Sequence, residues 1–570
     1  MAKTAPGAAR TVGDGPADAG NAGSADAPGA RLRAAAARGS RVTAAAARRH
    51  WLFSVLLVAG LALRVMAQIT YRPALLYIDT LKYLYNAWPG TDPVGYKVPL
   101  KAILLVGNLQ AVTAVQHLVG LAMAVGIYAV LLRRGVPRWL AALAAAPVLL
   151  DAYELQIEQT IMYDVWFEAL IVAALVLLLW QPRPTLPKIV LAGVALGLAV
   201  TTAQVGEVLI LPAAIYVVVA AGGWRRAIRA LVAVCVSFAV PILAYMSISQ
   251  VVTGHFWLSR SGVSTVYGRV AEAADCATLK LPSYARPLCP TPLQARKLGA
   301  DGLDHSPTSP LTTYLPPAGM SQASIVSAFT RAVIVQQPMR VLSSIADDSA
   351  RLFAVKRVGV PGDTPISRWQ FQTEYPSYQN YIRTNSANVI ILGLKLQTTQ
   401  VGYVYQPLDP SMGGKAQVTK PLATFLRAYQ LDGGYTPGPL YLAATLLGLF
   451  GTLAAGRRIS AARRGRPRPA GDDLALACGL FFVTAATLLL ASDIPEFSWR
   501  YQLPALVTLP PAGAAGIAFI VAVVRSRRGR TNAAGAASSV ADGGRAPAMR
   551  VAPDRASDPA TAPDQATPTR

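Results

Sequence analysis

The sequence predicts an all-α polytopic membrane protein, a bundle of about ten transmembrane helices with a long extracytoplasmic loop. The first observation is composition: of 570 residues, 53% are hydrophobic and 14% are charged, which leaves too little polar material for an ordinary soluble protein. The second is a series of about ten apolar runs that are long enough, or nearly so, to cross roughly 30 Å of hydrocarbon. The third is the position of the arginines, which crowd into alternate connections between these runs.

The distribution of charge predicts the orientation in the membrane. A formal net charge of +24 also occurs in proteins that bind nucleic acids. Here, however, the arginines concentrate in the two tails and in short connections such as 224–229 (WRRAIR). This is the positive-inside pattern of a membrane protein. We therefore expect a multi-pass plasma-membrane protein with both termini in the cytoplasm and with no nucleic-acid partner.

The apolar runs divide the chain into five regions. The predicted spans are 51–69, 111–132, 139–150, 165–180, 189–203, 208–221, 231–246, 440–455, 474–491 and 505–524. The regions are a disordered cytoplasmic N-terminal tail (1–49), an N-terminal transmembrane module of about seven spans (50–248), an extracytoplasmic loop domain (249–436), a C-terminal transmembrane module of about three spans (437–525) and a disordered cytoplasmic tail (526–570). The N-terminal tail is rich in Ala, Gly and Arg and poor in aromatic residues, so it cannot bury a core.

The loop 249–436 is too long to be a simple connection and is therefore a domain or a functional cover. Two helices are predicted within it, at 321–335 and 338–355. Cys276 and Cys289 lie in the same loop, in DCATLKLPSYARPLCP. Because an extracytoplasmic loop is in an oxidising compartment, we expect a Cys276–Cys289 disulfide bond. A metal site is the weaker interpretation, since no further Cys or His lies nearby to complete it.

The segment 71–100, which we call the shelf, follows the first span with the sequence YRPALLYIDTLKYLYNAWPGTDPVGYKVPL. It carries Asp79, Lys82 and Lys97 among tyrosines and a tryptophan, residues that favour the membrane–water boundary. A plain connection between two spans needs none of these ionisable groups, so we interpret the shelf as part of a reaction site on the outer face. The alternative is an aromatic interfacial belt with incidental charges. Arg64, inside the first span, is expected to snorkel or to meet an acid from the shelf.

The second outer connection is dense in acids. Asp151, Glu154 and Glu158 are spaced three and four residues apart and would share one face of a helix. Asp164 and Glu168 are also four apart, and Glu168 lies one turn deeper, where an acid marks function or an internal ion pair. For Glu158 and Asp164, a role in the site and a role in a solvated loop both remain open.

Acids and bases on one face suit a transfer reaction with a lipid phosphate. Such a reaction needs a carboxylate that takes a proton from an acceptor hydroxyl and cations that stabilise the departing phosphate. The outer connections offer Lys82, Lys97 and Arg500 as cations. No G-x-S-x-G, Walker loop, H-E-x-x-H or Gly-rich dinucleotide turn occurs. No cofactor is predicted with certainty, and carboxylate-bound Mg²⁺ or Mn²⁺ is a possible addition.

Three motifs carry a resemblance to a known family. The shelf has an isolated acid in YIDTLKYL followed by P-x-G-Y-K-x-P-L, the second outer connection reads LDAYELQIEQTIMYDVWFEAL, and a late connection reads FSWRYQLPAL. Over about residues 50–525 the chain resembles the GT-C glycosyltransferases, which include polyprenyl-phosphate-sugar-dependent mannosyl- and aminoarabinosyltransferases. The DC…LP…LCP pattern of the long loop is similar to that of actinobacterial members.

The resemblance implies an integral membrane glycosyltransferase with a GT-C-like helical bundle, whose N-terminal module is catalytic. It would move a hexose or pentose from a polyprenyl-phosphate donor to an acceptor hydroxyl on the extracytoplasmic face, with inversion. The acceptor would be an envelope glycan, a lipid or a protein.

The family's roles fall on the matching residues. Asp79 would be the catalytic residue, as general base or as the group that positions the acceptor hydroxyl. The implied substrate-binding residues are Lys97, Glu158, Asp164, Arg500, Tyr96 and Lys82. Among these, Lys97 would contact the lipid phosphate, Arg500 would assist the leaving phosphate, and Glu158 or Asp164 would shape the sugar site or hold a metal. Several members carry a second acid directly after the first, whereas this chain has Thr80.

Three alternatives remain open. A transporter or flippase of lipid-linked sugars would favour ionisable or helix-breaking residues near mid-membrane in paired positions. A glycan polymerase or ligase would share the lipid-linked donor and the outer acids. A non-catalytic assembly protein would use the long loop to bind partners, and loss of Asp79 would then have no effect.

Overall fold

The structure is a computed structural model that describes residues 48–77, 79–85, 93–259, 264–375, 385–391, 394–400, 412–462 and 472–542. Most of the tail residues predicted to be disordered lie outside these ranges, but residues 526–542 are helical, so the prediction of disorder was wrong for them. The chain divides into two compact units, Met1–Val55 and Leu56–Arg570. The first unit includes the start of the first helix, and the second contains the other elements.

Helices dominate the described residues. In chain order they are α1 (Trp51–Thr70), α2 (Thr80–Tyr85), α3 (Lys97–Leu104), α4 (Leu109–Arg133), α5 (Arg138–Leu150), α6 (Ala152–Glu158), α7 (Asp164–Leu179), α8 (Leu186–Thr202), α9 (Ile210–Ala220), α10 (Trp224–Thr253), α11 (Ser264–Ala273), α12 (Pro292–His305), α13 (Pro310–Thr313), α14 (Gln322–Gln336), α15 (Pro338–Ala350), α16 (Lys420–Leu431), α17 (Gly438–Ala462), α18 (Asp472–Asp493) and α19 (Pro504–Asp542). The short strands are β1 (Tyr71–Arg72), β2 (Asn385–Ile391), β3 (Leu394–Gln400) and β4 (Gln417–Val418). They form two antiparallel pairs, β1 with β4 and β2 with β3.

The all-α polytopic architecture is confirmed, although fewer helices qualify as full spans than predicted. Among the described residues, six helices are long and apolar enough to cross a membrane, namely α1, α4, α10, α17, α18 and α19. A seventh span is present if α5 and α6, which bend by 52° where they meet, are counted as one. The remaining predicted spans are α7, α8 and α9, with 16, 17 and 11 residues. These are shorter than the roughly 20 residues that cross the hydrocarbon.

The loop domain has a hydrophobic core of its own. Tyr267, Ile325 and Phe329 are fully buried in it, and α11, α14 and α15 contribute to it. The predicted disulfide is confirmed: Cys276 and Cys289 are bonded, with their Cα atoms 6.0 Å apart. The two helices predicted in the loop are α14 and α15, and the second ends at Ala350, earlier than expected.

Two glycines let α8 and α10 approach closely. A Cβ atom added to Gly193 would lie 2.0 Å from Ser237 Oγ, and one added to Gly197 would lie 2.2 Å from Phe238 O. Small residues four apart are a common device of membrane helices, because backbones then pack at short range. The α8–α10 pair therefore depends on the absence of side chains at these two positions.

Replacing Gly197 by leucine should destabilise the bundle by about 2 kcal/mol or more, since overpacking forces the two backbones apart. The midpoint of thermal unfolding in detergent measures this effect. Gly223→Ala is the matched control, because a Cβ atom there meets nothing within 4 Å. An unchanged midpoint for Gly197→Leu would show that α8 and α10 do not pack closely.

Candidate active site

Backbone pairing fixes the shelf against the acid-rich connection. Leu75 forms a parallel β-bridge with Thr160, which lies in the connection between α6 and α7. Thr80 Oγ1 donates a hydrogen bond to Ile161 O at 2.9 Å. These contacts hold Asp79 close to the start of α7. Thr80 thus connects the shelf to the acidic segment.

A single arginine joins three of the predicted site residues. Arg500 Nε and Nη2 donate to the two carboxylate oxygens of Asp164 at 2.8 and 3.0 Å. Arg500 Nη1 donates to Asp79 Oδ2 at 3.1 Å. The planar guanidinium matches a carboxylate in this two-bond geometry, so Asp164 fixes the orientation in which Arg500 meets Asp79. We call Asp79, Asp164 and Arg500 the triad.

The members of the triad differ in their access to solvent. The side chain of Arg500 is 4% exposed and that of Asp164 is 8% exposed, whereas that of Asp79 is 27% exposed. Aromatic rings surround the arginine, with Tyr163 at 4.9 Å and Trp369 at 5.4 Å from its guanidinium carbon. Asp79 is therefore the member that a substrate can reach, and the other two form its support.

The electrostatic environment keeps Arg500 charged. Burial disfavours the charged form, but Asp164, then Tyr163 and Asp79, outweigh it and raise the pKa of Arg500 well above its ordinary value. The pKa of Tyr77 is raised as well, first by burial and then by the negative charge of Asp79. The phenol of Tyr77 thus stays neutral and the guanidinium of Arg500 stays charged, close to the partly exposed carboxylate of Asp79.

The carboxylate of Glu158 is paired inside the protein, so it does not lie in a solvated loop, and its expected role at the sugar site stays a prediction. Its carboxylate is fully buried and bonds to Arg64 Nη2 at 2.5 Å and to His117 Nδ1 at 2.7 Å. His117 Nε2 lies 2.8 Å from Gln159 Oε1, and the Gln159 amide donates to Tyr71 O at 2.8 Å. Arg64 therefore neither snorkels nor meets a shelf acid. It pairs with an acid of α6, inside the bundle.

Gln159 connects this network to the shelf. Its amide nitrogen donates to Tyr71 O, and its amide oxygen lies 2.8 Å from His117 Nε2. His117 Nδ1 lies 2.7 Å from Glu158 Oε2. The network is a buried set of paired charges that connects α1, α4 and α6, and within it Arg64 Nε is buried without a hydrogen-bond partner among the described residues.

Two more acids are buried without partners. All four carboxylate oxygens of Glu154 and Glu168 are buried, and none has a hydrogen-bond partner among the described residues. The internal ion pair expected for Glu168 is therefore not found in this part of the chain. An unpaired ionised carboxylate in such surroundings costs far more than a neutral acid. We infer that Glu154 and Glu168 are carried as neutral carboxylic acids.

The remaining predicted residues lie in the shelf. Tyr96 is fully buried and donates to Gln116 Oε1 at 2.7 Å, so it supports the packing of the shelf on α4. Lys97 is the first residue of α3, and burial, followed by the charge of Lys101, lowers its pKa. The side chain of Lys82 lies outside the described part of the structure.

A segment of the long loop, Ile366–Tyr375, covers the shelf, and sequence reasoning did not identify it. Trp369 is buried between Arg500 and Tyr77, with ring centroids of Trp369 and Tyr77 4.7 Å apart. Arg368 Nη1 donates to Tyr77 OH at 3.2 Å, and the charges of both Arg368 and Asp79 act on this phenol. The available signal was SRWQFQTEY, a mixture of aromatic and charged residues like that of the shelf.

The triad does not fit a metal bound between its two acids. Arg500 already bonds to both Asp79 and Asp164. In addition, no group of three or more His, Cys, Asp or Glu among the described residues is placed to hold an ion. We therefore derive no step through a metal, and the possible Mg²⁺ or Mn²⁺ stays a prediction.

Comparison with known proteins gives weak likenesses. No protein-family model matches the chain, and no curated protein matches it. Three solved structures are similar to it. One is the S. cerevisiae protein O-mannosyltransferase Pmt1–Pmt2 complex bound to the sugar donor, with 14% identity, a TM-score of 0.30 and coverage of 38% of this chain and 36% of that one.

The second is the archaeal oligosaccharyltransferase AglB from Archaeoglobus fulgidus in complex with an inhibitory peptide and a dolichol-phosphate, with 12% identity, a TM-score of 0.33 and coverage of 85% and 52%. The third is ArnT from Cupriavidus metallidurans in the apo state, with 16% identity, a TM-score of 0.29 and coverage of 82% and 78%. The chain thus spans about a third and about half of the first two matched chains. At these TM-scores the likeness assigns no role to any residue.

Substitutions one turn apart on α6 should separate the neutral acids from the paired one. Glu154→Gln should change the free energy of unfolding by less than about 1.5 kcal/mol, because the amide has nearly the shape of a neutral acid. Glu158→Gln should cost about 3 kcal/mol or more, because it leaves Arg64 buried without its counter-ion. Denaturation of the purified protein in detergent measures both. Equal losses would mean that Glu154 is ionised and paired in the folded protein.

Proposed function

We propose that the chain is an integral membrane glycosyltransferase that moves a sugar from a polyprenyl-phosphate donor to an acceptor hydroxyl on the extracytoplasmic face, with inversion. The observation that carries this proposal is the triad, in which an accessible carboxylate is held by a buried arginine that a second carboxylate orients. The proposed acceptor is an envelope glycan, a lipid or a protein. A hexose or a pentose would suit this chemistry equally.

In the proposed reaction, the acceptor oxygen forms a bond to the anomeric carbon of the sugar while the bond from that carbon to the phosphate oxygen breaks. Asp79 takes the proton of the acceptor hydroxyl. The electron pair of the broken bond stays on the lipid phosphate, whose negative charge increases. A cation fixed beside this phosphate stabilises the transition state more than the ground state, which lowers the barrier.

Arg500 is the proposed cation, with support from further basic residues. Its guanidinium has five N–H groups, and the bonds to Asp79 and Asp164 use three of them. The triad carries a net charge of −1 by itself, since two carboxylates face one guanidinium. A phosphate therefore needs further cations, and we assign this role to Lys97, Lys82 and Arg368. Glu158 and Tyr96 would shape the site through packing rather than by contact with the sugar.

The proposed orientation places both termini in the cytoplasm and the site outside the plasma membrane. Support comes from the arginine-rich connections, which alternate along the sequence with the connections that carry the site residues. Sugar nucleotides are cytoplasmic, so an enzyme on the outer side needs a donor that has crossed the membrane on a lipid. A polyprenyl phosphate is such a donor.

A transporter or flippase of lipid-linked sugars is the second candidate. The Arg64–Glu158–His117 network favours it, because ionised groups inside spans mark transport pathways as well as structural pairs. The two functions make different demands on Asp79. A flippase that lacks the Asp79 carboxylate should still move its substrate, whereas the proposed transferase should lose its chemistry.

Asp79→Asn should lower sugar transfer by about 10²–10⁴-fold, the usual loss when a general base is removed. The assay uses purified full-length protein in vesicles, a panel of radiolabelled polyprenyl-phosphate sugars and an envelope extract as acceptor. Asp347→Asn, an exposed acid of α15, is the matched control and should leave transfer unchanged. Equal transfer by wild type and Asp79→Asn would remove Asp79 from the chemistry. Multiple additions to one acceptor would indicate the polymerase alternative instead.

A further inference from the structure

The helix α15 is apolar on two opposite sides, and only one of them is covered by protein. Val341 and Ile345 pack into the core of the loop domain. On the same side, Arg269 bonds to Ser344 Oγ and to the carboxylate of Asp348. This side is the ordinary inner face of a helix in a folded domain.

The other side carries an exposed apolar row, which we call the α15 stripe: Met339, Leu342, Ala346 and Ala350. Met339 is 72% exposed and Leu342 is 56% exposed. The spacing of three, four and four residues places the members along one side of the helix. Ile334 and Val335 are also exposed, at the end of α14, and they come shortly before the first residue of the stripe in the chain. An exposed apolar surface of this kind normally has a partner.

Contacts of the segment 349–354 locate the C-terminal end of α15 relative to the membrane. Ser349 Oγ donates to Asp493 Oδ2 at 2.6 Å, and Asp493 is the last residue of the span α18. The chain then meets the start of the span α17, where a Cβ atom added to Gly438 would lie 2.2 Å from Ala354 O. The C-terminal end of α15 therefore lies at the ends of two membrane spans, which is where the hydrocarbon gives way to lipid headgroups.

The charges around the stripe suit a lipid surface. Arg331 and Lys356 are exposed close to it in the chain, Arg340 is exposed but donates from Nε to Ala273 O at 2.9 Å, and Asp347 is an exposed acid on α15. Long basic side chains beside an apolar row are typical of helices that lie in the plane of the membrane interface, because they reach the headgroups while the apolar side chains enter the acyl boundary.

We propose that the α15 stripe rests in the membrane–water boundary and contacts lipid, so that the loop domain is held down on the bilayer as well as through the spans. The segment 366–375 follows α15 in the chain and covers the triad. The lipid contact would therefore also fix the distance between this segment and the membrane surface. The proposal concerns the surface of the loop domain and does not require the transferase activity.

A fluorescent label tests this placement in the full-length protein. Single cysteines replace Met339 or Ala346 in a Cys235→Ser background, since Cys235 is exposed while Cys478 is buried and Cys276 and Cys289 are bonded to each other. The comparison site is Leu293, which is 76% exposed on α12 of the same domain. Each cysteine carries an environment-sensitive fluorophore, and the protein is reconstituted into vesicles that contain anionic phospholipid.

The labels at 339 and 346 should emit at shorter wavelength than the label at 293 and should be quenched several-fold more by lipids that carry a nitroxide near the headgroup. The label at 293 should be quenched more by iodide in the buffer. Iodide quenching at 339 equal to that at 293 would overturn the proposal. Protection from both quenchers would overturn it too, because a second copy or another protein would then cover the stripe. Unchanged thermal midpoints confirm that each labelled variant is folded.

Discussion

The bond between Arg500 and two carboxylates is the constraint on which the candidate site depends. A buried guanidinium is tolerated only where acids neutralise it and accept its hydrogen bonds. Asp164 satisfies the first condition with a two-bond contact, and Asp79 adds a second acid at the exposed edge. The arginine thus ties the turn between α18 and α19 to the start of α7 and to the shelf. The shelf and the start of α7 also meet through Leu75 and Thr80, and Arg500 adds the turn between α18 and α19 to them.

Buried acids are stabilised in two different ways in this protein: Glu158 by ion pairing, and Glu154 and Glu168 by staying neutral. Around Arg64, the charges are paired and each polar atom of Glu158 has a partner. At Glu154 and Glu168, the oxygens have no partner in the described structure, and the absence of charge is the simpler solution. Glu154 and Glu158 lie one turn apart on α6. Whether each acid is neutral or ionised therefore depends on which side chains surround it. Because a neutral Glu154 does not attract a cation strongly, Arg64 keeps Glu158 as its counter-ion.

The sequence predicts the helical bundle and three members of the site for local reasons. Apolar runs and arginine-rich turns are read from single segments, and Asp79, Asp164 and Arg500 stand out because they follow or precede such runs. The position of Glu158 could not be read in this way, because its partners Arg64 and His117 come from the interiors of two other helices. Which faces of α1, α4 and α6 meet depends on helix crossing, and no periodicity of one segment contains that information. Trp369 was missed for a related reason, since nothing local fixes where a long loop lies.

The distance along the chain between the members of the triad has a consequence for biosynthesis. Asp79 and Arg500 are separated by 421 residues, and Asp164 and Arg500 by 336. Spans enter the membrane as the ribosome makes them, so the early helices are in place long before the arginine exists. A nascent chain therefore holds its acids without their counter-ion until nearly the whole protein has been translated. Products that end before Arg500 would lack the contact that joins the shelf and the start of α7 to the turn between α18 and α19.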